Sequence, residues 1–303
     1  MRNDENQYLK IGKHEDNHLI FLHFKISIMN FYKIFKLYKV SAFIKKDFYI
    51  ETSYKMGFLI TIITAILPVF SYFFIGKLMN GQNVKHIELY GSNYFSFVLI
   101  GLTFSGYFTL AIQTFSTSIR RAQMAGCLEA ILSSQTDTKT IVFLSSIYSF
   151  IHSGIFLVIT FIISWVFLGF DFSNINIMAT LLTIFFSLMA FIGLGIITAA
   201  GTIIFKQGDP FTFIFGGISA LLSGALFPIS LLPSWLQPVS YFVPITYSLD
   251  ALRLSVLQGY TVLMISKQLI ILAIISLIIF PLSLLYFQWA VERGKKNGTL
   301  MHY

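Results

Sequence analysis

Residues 225–253 read ALFPISLLPSWLQPVSYFVPITYSLDALR. Pro228, Pro233, Pro238 and Pro244 recur every five or six residues. Each lacks an amide donor and clashes with the turn before it, so one uninterrupted helix cannot hold all four. The chain must therefore turn repeatedly here. Yet the stretch stays apolar and aromatic, with Trp235, Tyr241, Phe242 and Tyr247, as suits a membrane interface better than bulk water. Broken backbone at membrane depth is tolerated only where protein or a cavity surrounds it. The stretch thus reads as a partly re-entrant cap over one end of a pathway, in preference to a plain interfacial connection. Asp250 and Arg253 lie three apart on the helix expected after Pro244, and read as a surface ion pair of small energetic worth that can orient the cap.

The surroundings fit a membrane. The 303 residues are 56% hydrophobic and 11% charged, against about 25% charged in soluble domains. Crossing the hydrocarbon core takes roughly 20 apolar helical residues. Six runs qualify: 57–76, 95–118, 141–168, 177–205, 211–232 and 267–289. The expected fold is an all-α polytopic membrane protein of six transmembrane helices, with an N-terminal interfacial helix and a re-entrant region at about 225–258, between spans five and six.

The formal charge of +8 has a topological reading. Under six spans, 17 of the 21 Lys and Arg fall on one side, leaving Lys77, Lys85, Arg253 and Lys267 on the other. The positive-inside rule then puts both termini in the cytoplasm. No nucleic-acid partner is implied. The first 20 residues are polar and mixed in charge, so no cleavable signal peptide is expected. Cys127 is the only cysteine, which excludes an internal disulfide and a cysteine metal cluster.

Residues 1–25 read as a mobile cytoplasmic tail and 290–303 as a second one. Across 26–56, Phe31, Ile34, Phe35 and Tyr38 recur at helical spacing with Lys33, Lys36 and Lys39 between them, which predicts an amphipathic helix on the membrane surface. Between spans two and three lies RRAQMAGCLEAILSSQ, residues 120–135. As a helix over about 119–134 it aligns Met124, Leu128, Ile131 and Leu132 on one face, with Arg121 and Glu129 on another. Two readings stand side by side: a docking helix for a soluble partner, and a solvated connector.

No span interior holds Asp, Glu, Lys or Arg, which argues against ion-coupled transport. The phosphate loop G-x-x-x-x-G-K-[ST] is absent, since the Gly-Lys pairs at Gly12, Gly76 and Gly294 lack its context. Energy for uphill transport would have to come from another chain. His152 and Gln113 are the most polar side chains within spans, and satisfaction by a neighbouring helix is the simpler reading of each. The small residues Gly101, Ser105 and Gly106 in span two, and Gly193, Gly195 and Gly201 in span four, suggest close helix packing.

This order of segments resembles the permease subunits of ABC-2-type exporters. In that family the cytoplasmic segment commonly carries G-T-L-E-x-L-L, matched here by Gly126, Leu128, Glu129, Ile131 and Leu132, with Cys127 in place of Thr. The pattern F-P-x-S-x-L-P-x-W-L-Q, then P-x-T-Y-x-L-D-A-L-R, is matched by Phe227, Pro228, Ser230, Leu232, Pro233, Trp235, Leu236 and Gln237, then Pro244, Thr246, Tyr247, Leu249, Asp250, Ala251, Leu252 and Arg253. The resemblance spans about 43–289. It departs in SSQTDTK, where many members carry a proline soon after the cytoplasmic helix.

The resemblance implies a transport subunit, not an enzyme, in a bacterial or archaeal cytoplasmic membrane. It implies an ATPase-coupling helix carrying Arg120, Arg121, Gly126, Leu128, Glu129 and Leu132. It likewise implies an external gate carrying Phe227, Pro228, Pro233, Trp235, Pro244, Tyr247, Asp250 and Arg253. The implied partners are an ABC ATPase subunit, a second permease chain, identical or not, and membrane lipid. ATP and Mg would be used by the ATPase, with no cofactor or metal on this chain. Set against this are an ATP-independent channel or lipid scramblase and, more remotely, an intramembrane hydrolase built on His152, whose neighbour Ser153 points away along the helix.

Overall fold

The structure is a computed structural model and describes residues 41, 44–45, 48–49, 53, 55–79, 85–91, 93–124, 138–205, 215–217, 219 and 221–296. Among the described residues the regular elements are helices. In lipid a backbone must satisfy its own polar groups, and a helix does so within one segment. The apolar runs give α1 (Lys55–Met79), α2 (Tyr94–Met124), α3 (Thr138–Leu168) and α4 (Ile177–Phe205). After the proline-rich segment, α5 (Gln237–Ser240), α6 (Pro244–Leu257) and α7 (Ser266–Lys296) complete the order. Four of these, α2, α3, α4 and α7, contain stretches long and apolar enough to cross a membrane.

Helix starts follow the capping chemistry in the sequence. Asn93 and Asn176 stand just before α2 and α4, and their side-chain oxygens accept from the amides of Ser96 and Ala179 at 3.4 and 3.1 Å. These caps satisfy donors that an open helix end leaves free. Pro68 lies within α1 and Pro281 within α7. Both helices run on past the proline.

Two helix boundaries differ from those of the apolar runs. The fifth apolar run reaches Leu232 and overlaps the region expected to break from about 225, and among the described residues its helix ends at Leu222. Gly224 takes a left-handed φ of +73°, and Pro228 then precedes a single 3-10 turn, Ile229–Leu231. Hydropathy could not register this break, because Ala225, Leu226 and Phe227 are as apolar as the helix before them. At the other boundary, α2 runs on through Arg120 and Arg121 to Met124, so the stretch from 119 begins as the last turns of α2.

The bundle is organised around α4, which packs against α2, α6 and α7. Small residues set these approaches. A Cβ on Gly193 would meet Ile279 and the backbone of Phe280 in α7, and one on Gly195 would meet the carbonyl of Ala111 in α2. Thr198 Oγ1 donates to the Ile112 carbonyl at 2.7 Å, joining α4 to α2. Phe191 fills the remaining space, its ring 5.6 Å from Phe104 and 4.6 Å from Phe108. Close backbone contact of this kind substitutes for the hydrophobic drive that lipid does not supply.

The outward surface is apolar as well. On α3, Ile151, Ile155, Val158, Ile162 and Trp165 form an exposed stripe, matched on α7 by Ile270, Ile274, Leu277 and Leu285. Such faces are stable only against lipid or another apolar surface.

Candidate functional site at one end of the bundle

The starts of α2, α4 and α7 and the end of α3 lie at the same end of the bundle, and residues 223–258 fold into that end. Each proline acts where its missing donor costs least. Pro228 precedes the 3-10 turn, Pro233 opens the turn into α5, and Pro238 and Pro244 occupy the first turns of α5 and α6. Side chains then tie the broken segments together. Gln237 Nε2 donates to the Leu232 carbonyl at 2.9 Å, and Thr246 Oγ1 donates to that of Ser240 at 2.8 Å. A chain with so many breaks can leave the aqueous phase only if its backbone groups are met in this way.

Along α6 the apolar side chains divide between two clusters. Ile245, Leu249, Leu252 and Val256 join Leu99, Ile100, Phe104 and Phe108 from α2 with Phe191 and Leu194 from α4. Ala251 and Leu254 join Ala179 from α4 with Ile265 and Leu269 at the start of α7. Hydroxyls complete the seat: Ser187 Oγ lies 2.8 Å from Ser248 Oγ, and Thr180 Oγ1 lies 3.1 Å from Ser255 Oγ.

Arg253 is the centre of the arrangement and is only 3% exposed. Its Nε and Nη2 donate to the Phe97 carbonyl at 3.2 and 3.1 Å, Nη1 to that of Gly224 at 2.9 Å, and Nη2 also to that of Ala225 at 2.8 Å. The left-handed turn at Gly224 presents two successive carbonyls to one guanidinium fork. Gly101 makes the approach possible, since a Cβ there would strike both the Ala225 carbonyl and Arg253 Nη2. Burial pulls the guanidinium pKa down to about 9, while Tyr90 and Asp250 act in the opposite sense, so it stays protonated at neutral pH. A buried charge without partners would be very costly. Here the carbonyl dipoles supply the compensation, and hydrogen bonds to charged groups contribute about 1.5–3 kcal/mol each.

Asp250 is not the ion-pair partner expected from its spacing. Its Oδ1 accepts from Tyr90 Oη at 2.7 Å and its Oδ2 from Gln268 Nε2 at 2.9 Å. Tyr90 closes the 3-10 turn Lys85–Tyr90 after α1, and Gln268 lies in the first turn of α7. The helix aims Asp250 and Arg253 at different neighbours, with Arg253 buried and Asp250 half-buried. The surface ion pair is thus replaced by two separate attachments of α6.

The other expected gate residues occupy varied settings. Pro228 and Pro244 are buried, Phe227 and Tyr247 are half-buried, and Pro233 is exposed. Trp235 is 72% exposed and Phe242, in the same cap, 85%. Arg120 and Arg121 are exposed on the last turns of α2. From Phe97 to Arg121 is roughly 36 Å along that helix at 1.5 Å per residue. Gly126, Leu128, Glu129 and Leu132 lie outside the described residues, as does the 26–40 part of the amphipathic helix predicted over 26–56; residues 41, 44–45, 48–49, 53 and 55–56 of that range are helical.

His152 sits on α3 between Tyr148 and Phe156, with ring centroids 5.9 and 4.7 Å away. Gln113 is exposed, and its carbonyl, not its side chain, accepts from Thr117 Oγ1 at 2.8 Å. Sequence reasoning missed Tyr90, Phe97, Gly224 and Gln268 as members of this site and gave Gly101 only a packing role. The available signal was charge scarcity: Asp250 and Arg253 are the only charged residues between 210 and 266.

Long apolar helices packed through small residues, with charged groups turned inward at one end, define a multi-pass helical membrane protein. Residues 38–257 match the ABC-2 type transporter family, and the chain belongs to that family as a transport permease. No curated protein matches the chain. The matched range ends with α6, so it includes the whole Arg253 and Asp250 arrangement except Gln268.

Proposed function

We propose that this chain is the permease subunit of an ATP-driven exporter, forming the pathway while separate ATPase subunits supply the energy. The family match carries the reading, and the folded cap at 223–258 supports the pathway part of it. Six spans follow if α1 and the helix ending at Leu222 are added to the four long apolar helices. The cytoplasmic side is the end bearing Arg120 and Arg121, by charge asymmetry, and the cap is then external. Its exposed Trp235 and Phe242 suit the headgroup layer of the outer leaflet.

In this reading α2 is the mechanical link. Its cytoplasmic end leads directly into the segment of Gly126, Leu128 and Glu129 that engages the ATPase, and its outer end bonds Arg253 of the cap through the Phe97 carbonyl. ATP binding by the partner biases one arrangement of the bundle over another, and a rigid helix carries that bias outward. A second permease chain, identical or not, completes the pathway.

The test is reconstitution with a candidate ABC ATPase subunit. Glu129→Lys and Arg121→Glu should leave a folded complex that hydrolyses ATP without transport. Normal coupling in both variants, or full uphill transport by this chain alone, removes the reading.

A further inference from the structure

We infer that the two charged residues of α6 attach it in different ways, Arg253 through a fixed contact and Asp250 through a releasable one, beside the hydroxyl contacts that join α6 to α4. Tyr90, Asp250 and Gln268 therefore form a latch that keeps the cap seated against α7. On this view the cap opens by parting from α7 and the Tyr90 turn while it stays joined to α2.

The two attachments differ in what release would leave behind. Freeing Arg253 would strand a guanidinium that is only 3% exposed, and would strip the carbonyls of Phe97, Gly224 and Ala225 of their donor. The fork also lies 3.4 Å from the centroid of the Phe97 ring, so release would forfeit a cation–π contact as well. Freeing Asp250 breaks two single bonds, at 2.7 and 2.9 Å, from donors on two different elements. Asp250 is only half-buried, so water can take over both sites as the contact opens.

Leu249 and Leu252 lie in a cluster shared by α2 and α4, among Leu99, Ile100, Phe104, Phe191 and Leu194. Ala251 and Leu254 lie in a separate cluster with Ala179 of α4 and Ile265 and Leu269 of α7, against which Tyr90 itself packs. The latch lies beside that second cluster and joins the α1–α2 connection, α6 and α7 at one carboxylate. Tyr90 also packs beside Phe97, with ring centroids 5.3 Å apart and the planes tilted by 53°, so it has an anchor of its own on α2 when the carboxylate leaves.

The role in transport rests on the permease reading, but the opening itself can be measured without an ATPase. The test uses the full chain in native membranes with Cys127→Ser as background. A single reporter cysteine is placed either at Ala251, on the α7 side, or at Leu252, on the α2 side, and its rate of reaction with N-ethylmaleimide is measured. Tyr90→Phe and Gln268→Leu each delete one latch bond while preserving most of the side-chain volume. Each should raise the rate at Ala251→Cys by about tenfold or more, the loss of one hydrogen bond to a charged group, and leave the rate at Leu252→Cys within twofold. Unchanged labelling at Ala251→Cys in both variants overturns the latch. So does a parallel rise at both reporters, which would mean that the whole cap loosens. A failed ATPase experiment would remove the exporter reading and leave this result untouched.

Discussion

Arg253 lies over the ring of Phe97, 3.4 Å from its centroid, and donates to the backbone carbonyl of that same residue. One residue of α2 thus offers both its face and its peptide oxygen to a charge on α6. The contact is possible because Gly101, one turn on, has no side chain to occupy the guanidinium's place.

Arg253→Lys keeps the charge but replaces a planar five-donor fork by a single ammonium. It cannot reach the Phe97, Gly224 and Ala225 carbonyls together. Thermal unfolding in detergent should show a loss of roughly 3 kcal/mol or more, the scale of a buried charge network broken at one partner. Asp250→Ala should cost less, about 1–3 kcal/mol, since each stranded donor is part-buried. Equal losses would show that burial does not rank the two attachments.

Two glycines on α2 make a matched comparison. Gly101→Val would press on the Ala225 carbonyl and Arg253, and should destabilise by about 1–3 kcal/mol as overpacking does. Gly106→Ala meets nothing within 4 Å. It should be neutral or stabilising by up to about 1 kcal/mol, the helix propensity difference. Melting temperatures of the two purified variants decide the matter.

The Thr198 hydroxyl lies 2.7 Å from the Ile112 carbonyl of α2 and equally from the Gly195 carbonyl of its own helix, whereas the Thr117 hydroxyl bonds only carbonyls of its own helix at Gln113 and Thr114. Thr198→Val should therefore cost about 1 kcal/mol. Thr117→Val should change stability by less than about 0.5 kcal/mol.

Burial, and then the neighbouring Asp250, push the Tyr90 phenol well above its usual value of 10.0. A raised pKa in the folded state means that the contribution is fully present below the unfolded value and is lost as pH rises toward the folded one. Wild-type protein should lose melting temperature more steeply above pH 10 than Tyr90→Phe does. Parallel slopes would mean that Tyr90 titrates alike in both states.

The proposed orientation can be read in whole cells. A membrane-impermeant thiol reagent should label Trp235→Cys in a Cys127→Ser background and leave native Cys127 of the unaltered chain unmodified. Labelling of Cys127 alone would invert the topology.

Much of the architecture was legible because it follows from local rules. Four prolines forbid a continuous helix wherever the segment ends up, and each one was found at a turn or a helix start. Apolar runs free of charge become helices because lipid offers the backbone no other partner, and α2, α3, α4 and α7 follow. The end of the fifth helix was not legible in hydropathy, since the break at Gly224 is set by a backbone angle and not by polarity.

Sequence by itself determined that the chain crosses a membrane, where it must break, and that Asp250 and Arg253 share a helix. Only the tertiary structure decided that these two charges do not pair. Spacing along a helix fixes which side chains share a face, but the partner of a charge is whatever the opposing elements bring within about 3 Å. Here those elements bring carbonyls from Phe97, Gly224 and Ala225 to the arginine, and a phenol and an amide to the aspartate.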